Sequence, residues 1–315
     1  MKINLRNLFL TCICVFCSFS NAYSQQLFEI KNQYLTVEAS DIGAELMSIR
    51  TKDREYLWQG RAEFWKNRAP VMFPVNVRYR NNEFTYKGKT YQMPFMGIAM
   101  NAKMTGMVNA GQTQMSFKLV SNDSILTHHY PFPFELTIRY TLKEKSLIMN
   151  LELHNVGKET MYYAIGVHPG FQLSLSDTVG RKDYEVRFSD KPVSLIRKRV
   201  NNGLLLHETE KFIENECAVT LDDKRIANTG MFFENALTPK IGIGRKGELP
   251  FMYIQKGNFP NINFWSPPGF PFACIETMAG HHDFVDSPTE ISEKKQLLTL
   301  LPGKSKSYYI TMIFP

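Results

Sequence analysis

The chain has 315 residues, is 43% hydrophobic and 13% aromatic, and carries 37 Lys and Arg against 30 Asp and Glu, a formal charge of +7. Those figures describe an ordinary globular chain with a sizeable core, and a single all-β domain of this length is common. The basic residues are dispersed, as in "DREYLWQGRAEFWKNR" and "SLIRKRVNNG", rather than gathered into a stripe; the charge therefore reads as solubility, and nucleic acid is excluded as an expected partner.

The chain opens with a basic head (Lys2, Arg6), an apolar centre "LFLTCICVFC" and a small-residue exit "AYSQ". This is the pattern of a secretory signal peptide cut after Ser24, and it predicts a periplasmic or secreted protein with residues 25–315 as one domain. The apolar run is short for a membrane span, so no stable membrane insertion is expected after cleavage; an uncleaved N-terminal anchor is the alternative. Cleavage removes Cys12, Cys14 and Cys17 and two basic residues, leaving Cys217, Cys274 and a charge of 7 − 2 = +5. Two cysteines far apart in sequence make no disulfide framework.

After residue 25 strand periodicity dominates. "FELTIRYTL" places Phe134, Leu136, Ile138, Tyr140 and Leu142 on one face, and "SLIMNLELHNV" does the same with Leu147, Met149, Leu151 and Leu153. Alternation with period two predicts half-buried antiparallel strands. Turn-forming runs such as "SNDS", "KEKS" and "LDDK" punctuate them. One short helix is expected at "RAEFWKNRA" (61–69). The predicted fold is all-β, a large antiparallel sandwich.

Several apparent motifs lack the context their chemistry needs. "GIGRKG" (242–247) fits a dinucleotide-binding spacing, but a proline and a strand follow where a helix N-terminus is required, so a hairpin is expected. In "HHD" (281–283) adjacent histidines on a strand would point to opposite faces, so no metal site is assigned. "NDS" (122–124) is a glycosylation triplet where a hairpin turn belongs.

Three segments combine ionisable residues with rigid neighbours: "RAPVMFPVNVRYR" with Arg78, "AIGVHPGF" with His168, and "PFACIETMAGHHD" with Glu276. Glu276 is expected at the end of an apolar strand, where a carboxylate is partly desolvated. Pro169 and Gly170 read as a turn that fixes His168 at a pocket edge. A glutamate, a histidine and an arginine suit proton transfer on a polar, uncharged substrate. Each of them taken alone reads more readily as a structural residue than as a catalytic one.

The chain resembles the aldose 1-epimerase (galactose mutarotase) family in "GAELMSI", "EYLWQG", "FWKNRAPVMFPVNVR", "YPFPFELTIRYTL", "MYYAIGVHPGF", "FWSPPGFPFACIE" and "LLPGKSKSYYI", in order and spacing, from about Leu27 to Pro315. The resemblance implies a β-supersandwich with a sugar pocket, probed by a small-molecule sugar as partner, without a cofactor or metal, and a monomer is expected. It implies Glu276 as general base at the C1 hydroxyl, His168 as general acid at the ring oxygen, and Arg78, Asp283 and the Met96 position as substrate-binding. Departures accompany it. A "HGFAR"-like segment is "MGIAM" here, so the histidine and arginine positions hold Met96 and Met100; Thr277 and Met278 replace Pro-Trp; Pro267 stands where a lysine is usual. They imply a pocket short of polar donors and of an aromatic platform. The readings are an isomerase of free aldose anomers, a carbohydrate-binding protein without turnover, and an epimerase of a modified or phosphorylated sugar. The last would call for clustered basic residues at the site.

Overall fold

The computed structural model describes residues 24–315, so the expected signal peptide, apart from Ser24, lies outside the described residues. Among these, nearly all regular structure is antiparallel strand, as the alternation predicts. A nine-stranded sheet runs in the order Ala218–Thr220, Tyr184–Arg187, Lys240–Arg245, Met252–Gln255, Ser305–Ile313, Ser146–Asn155, Phe134–Lys143, Gln114–Val120, Thr105–Val108. An eight-stranded sheet runs Leu204–Glu216, Val193–Asn201, Met231–Phe233, Asn261–Trp265, Phe272–Ala279, Ile165–Val167, Val71–Met72, with Gly170–Gln172 also pairing to Phe272–Ala279.

The two sheets bury one core between them. Phe134, Leu136, Ile138 and Tyr140 from the first sheet share a single apolar cluster with Ile165, Val167, Ile262, Phe264, Ala273 and Ile275 from the second. Because side chains alternate along a strand, the other face of the eight-stranded sheet receives Met72, Gly166, Phe232, Asn263, Cys274, Glu276 and Met278. Its apolar members form two smaller clusters, one of Met72, Met96, Leu205, Phe232 and Met278, the other of Trp58, Phe272 and Cys274. The polar members between them are the ones that carry chemistry. Cys217 and Cys274 are both free.

Two local expectations are corrected, and a third, the hairpin at 242–247, is borne out. The segment 61–69 forms turns rather than a helix: its aromatic residues are committed to tertiary contacts, Phe64 against Trp58 and Phe270, Trp65 against Phe272. At 122–124 a short helix, Asp123–His128, replaces the hairpin turn, and Asn122 caps it by accepting from the Ile125 N–H. Residues 242–245 lie within a strand, and the hairpin turn follows at Lys246 and Gly247.

Candidate active site

Phe272–Ala279 is buried along its whole length, and Glu276 lies inside it, not at its end as expected. The buried strand tolerates the carboxylate because neighbouring strands supply polar partners at the same level. Asn263 is its cross-strand partner on one side. On the other side Val167 pairs with Thr277 and Gly170 with Cys274, a constant register that sets His168 directly across from Glu276. His168-Pro169 is therefore an interruption in a continuing extended strand, caused by the missing proline N–H, and not a chain-reversing turn. Asn263, Glu276 and His168 thus stand in one row across three adjacent strands.

The row is hydrogen-bonded. Asn263 Nδ2 donates to Glu276 Oε1 at 2.6 Å, and His168 Nε2 lies 3.2 Å from the same oxygen. Glu276 Oε2 and His168 Nδ1 are buried with no protein partner. Burial pushes the Glu276 carboxyl well above the usual carboxylate range, opposed by the Asn263 hydrogen bond, and pushes the His168 imidazole down to about 3. Gly230 makes the row possible: a Cβ there would stand 2.7 Å from Asn263 Nδ2.

The His168 ring is held between tryptophans, 4.8 Å from Trp65 at a 34° tilt and 5.7 Å from Trp265 edge-on. The Trp65 carbonyl accepts from Trp58 Nε1 at 2.7 Å. The aromatic surface that the loss of a Pro-Trp pair seemed to remove is therefore present, supplied by Trp65 and Trp265. Thr277 faces away from this surface, and Met278 joins the methionine cluster.

A cavity of about 420 Å³ opens over the row. His168, Glu276, Asn263, Trp65 and Trp265 form part of its wall; Arg78, Met96 and His282 form another part. Arg78 Nη1 donates to the Asn202 carbonyl at 3.1 Å, and its guanidinium lies 5.7 Å from the Phe95 ring. The backbone beside it is unusual: Val77 and Met96 both have positive φ (61° and 62°), and Met96 N–H donates to the Val77 carbonyl at 2.6 Å. A β-branched residue in that region is strained, and such strain collects at functional sites.

Four of the five expected site residues, Glu276, His168, Arg78 and Met96, line one cavity. Asp283 does not. It is fully buried, its Oδ2 accepting from Lys294 Nζ at 2.7 Å and from the Arg80 N–H at 2.9 Å, its Oδ1 from Gln296 Nε2 at 2.7 Å. All three hydrogen bonds it accepts come from within the protein, and they tie together the segments that form the cavity wall. His281 and His282 lie in a loop, not a strand, and both are buried. Among the described residues no group of three or more His, Cys, Asp or Glu is placed to hold a metal. Asn263 and the two tryptophans were not singled out in the sequence, and His282 was considered only as part of "HHD"; for Asn263 the available signal was its place in an alternating strand, one residue from Phe264 and two from Trp265.

The aldose 1-epimerase family model matches residues 26–312. The chain belongs to the aldose 1-epimerase family. Relatives include the plasmid-encoded protein LacX of Lactococcus lactis subsp. lactis, 29% identical over 299 residues, covering 90% of this chain and 99% of the relative. Among solved structures, a galactose mutarotase related enzyme from Lactobacillus acidophilus superposes with a TM-score of 0.86 at 27% identity, covering 92% of this chain and 97% of its own. A galactose mutarotase-like protein from Lactobacillus casei reaches 0.84 at 23% identity, covering 92% and 100%, and supports the fold. The sandwich is thus the galactose mutarotase-like fold, and membership of the family supports a mutarotase-type isomerase.

Proposed function

We propose that the protein interconverts the α and β anomers of a free aldose. The observation that carries this reading is the row Asn263–Glu276–His168, with Glu276 Oε1 3.2 Å from His168 Nε2 on a cavity wall. The C1 hydroxyl oxygen and the ring oxygen are bonded to one carbon, so an acid and a base that serve them must be close neighbours. Glu276 takes the C1 hydroxyl proton, and its Oε2, which has no protein partner, is the free acceptor. His168 gives a proton to the ring oxygen, the C1–O5 bond breaks, and the aldehyde carbon rotates. Closure on the other face returns both protons. The pair needs one transferable proton in all: a neutral carboxylic acid beside a neutral imidazole, and a carboxylate beside an imidazolium, hold the same number. Burial that pushes both groups toward neutrality therefore keeps the correct proton count near neutral pH. Arg78 offers a fixed fork of donors to sugar oxygens, and Trp65 and Trp265 offer faces to the sugar ring.

The test is polarimetry of freshly dissolved anomers over a sugar panel, with wild type and Glu276→Gln. A wild-type rate above buffer for at least one sugar, reduced by about 10²–10⁴ in the variant, is expected. Equal rates in the two proteins would overturn the role of Glu276.

A second reading, sugar binding without turnover, is favoured by the apolar residues Val77, Met96 and Val200 in the same cavity. Calorimetric binding without any acceleration of anomer exchange would establish it. We also propose export to the periplasm or medium, supported by the pattern of the first 24 residues; a mature chain that begins at Met1 on N-terminal sequencing would overturn it.

A further inference from the structure

His282 is 2% exposed, yet its ring forms part of the cavity wall, and its Nδ1 is buried with no partner in the protein. Nearly all buried polar atoms in folded proteins are paired, so an orphan on a binding cavity is a position awaiting a ligand atom. Its backbone is not free to turn the ring elsewhere. The His282 carbonyl accepts from His281 Nδ1 at 2.9 Å, and the next residue's N–H donates to the Arg78 carbonyl at 3.2 Å. Gly280, at φ +66°, makes the exit from the Glu276 strand; a Cβ there would meet Ala164 Cβ at 3.0 Å, so this path is closed to other residues.

The neighbours of the ring distinguish it from His168. His282 packs edge-on to Phe232 at 5.7 Å, and Phe232 belongs to the cluster that contains Met96 and Met278. His168 packs between Trp65 and Trp265. The two imidazoles therefore meet a bound molecule at different points.

We propose that His282 is a substrate-recognition residue that hydrogen-bonds one hydroxyl of the bound sugar, away from the acid–base row. This rests on the sugar reading above and specifies it further. The ligand group is an uncharged oxygen, not a phosphate. Burial holds the imidazole down to about 3, so it is neutral at physiological pH, and among the described residues lining the cavity Arg78 is the single Arg or Lys. A neutral imidazole has one donor and one acceptor nitrogen and can serve a hydroxyl in either sense.

The experiment is a deoxy scan. Each monodeoxy analogue of the best-handled aldose is measured for rate, or for Kd if only binding occurs, on wild type, His282→Phe and His282→Gln. One deoxy position is expected to lose about tenfold on wild type, the size of one hydrogen bond. The same position should lose less than about twofold on His282→Phe and recover a penalty on His282→Gln, which keeps a polar group. Should His282→Phe not fold, the same disappearance or retention is read from His282→Ala. Penalties that persist unchanged at every position in a folded variant overturn the assignment alone. A wild type that neither binds nor equilibrates any sugar overturns it together with the reading it rests on.

Discussion

Asn263 and Glu276 face each other directly across two neighbouring strands, and the amide donates to the carboxyl at 2.6 Å. This bond opposes the desolvation that burial imposes on Glu276. Asn263→Ala removes it, so the carboxyl rises further and a smaller share of it is ionised at neutral pH. The expected result is a loss of roughly tenfold in kcat/KM, equivalent to about 1.4 kcal/mol, and an alkaline limb of the pH–rate profile moved upward. Steady-state polarimetry across pH reads both.

The pH–rate profile of the wild type should be bell-shaped. Reaction needs one proton on the Glu276–His168 pair. Below the acid limb the pair takes a second proton and no base remains; above the alkaline limb it loses its only proton and no acid remains. The acid limb lies far below the usual histidine range because burial lowers His168 to about 3, and the alkaline limb lies above the usual carboxylate range. Both limbs belong to the coupled pair. A profile that follows a single ordinary histidine would contradict this assignment.

Stability has its own pH dependence. His168 and His282 are each lowered to about 3 and His281 is lowered as well, so the unfolded chain takes up protons that the folded one does not. The contributions of His168 and His282 are complete above the unfolded pKa of about 6.5 and are lost as pH falls toward 3, at about 1 kcal/mol per pH unit for each of these two, and His281 acts in the same direction. Glu276 acts in the opposite sense: its raised pKa gives stability that is complete below the usual carboxylate range and lost as pH rises through its folded value. Urea unfolding at pH 7 and pH 5 should show His282→Gln losing about 2 kcal/mol less than wild type between the two.

Gly230→Ala places a methyl 2.7 Å from Asn263 Nδ2. The amide must move, and Glu276 loses its donor without being mutated. We expect about 1–3 kcal/mol of destabilisation and a rate loss close to that of Asn263→Ala. Thermal melts and polarimetry on the double variant check it: a double variant that loses no more rate than either single variant would show that both act through the same bond, and losses that add would contradict it.

Asp283→Ala removes the counter-charge of the buried Lys294 ammonium and leaves the Pro288 carbonyl, 2.5 Å away, as its hydrogen-bond acceptor. Breaking a buried pair in this way costs about 3–5 kcal/mol. A large fall in the unfolding midpoint is expected. An unchanged midpoint together with a large rise in KM would instead return Asp283 to the substrate.

The sandwich was legible because its signal is local: alternation at Phe134–Leu142 and Leu147–Leu153 survives in the structure residue by residue. The four cavity residues were legible through the quoted motifs. What was not legible depends on register. Nothing in "VHPGF" says that the strand continues past Pro169, and nothing in "NINFW" says that Asn263 meets Glu276. Both facts arise only when three distant segments align. The place of Asp283 outside the cavity was not legible for a related reason, since its partners Arg80, Lys294 and Gln296 come from two other segments.

The hydrogen bonds of Asp283 have a consequence for how the pocket can change. Asp283 ties the Arg80 amide, Lys294 and Gln296 together, and its own N–H joins the Arg78 carbonyl. Arg78 and His282 are therefore mounted on a single bracket and keep a constant spacing. Met96 lies on a separate loop, with its side chain packed among Met72, Leu205, Phe232 and Met278 and its N–H donating to the Val77 carbonyl. New preferences among sugars are accordingly easiest to install at Met96, where exchanging a side chain leaves the distance between the arginine and the histidine as it was.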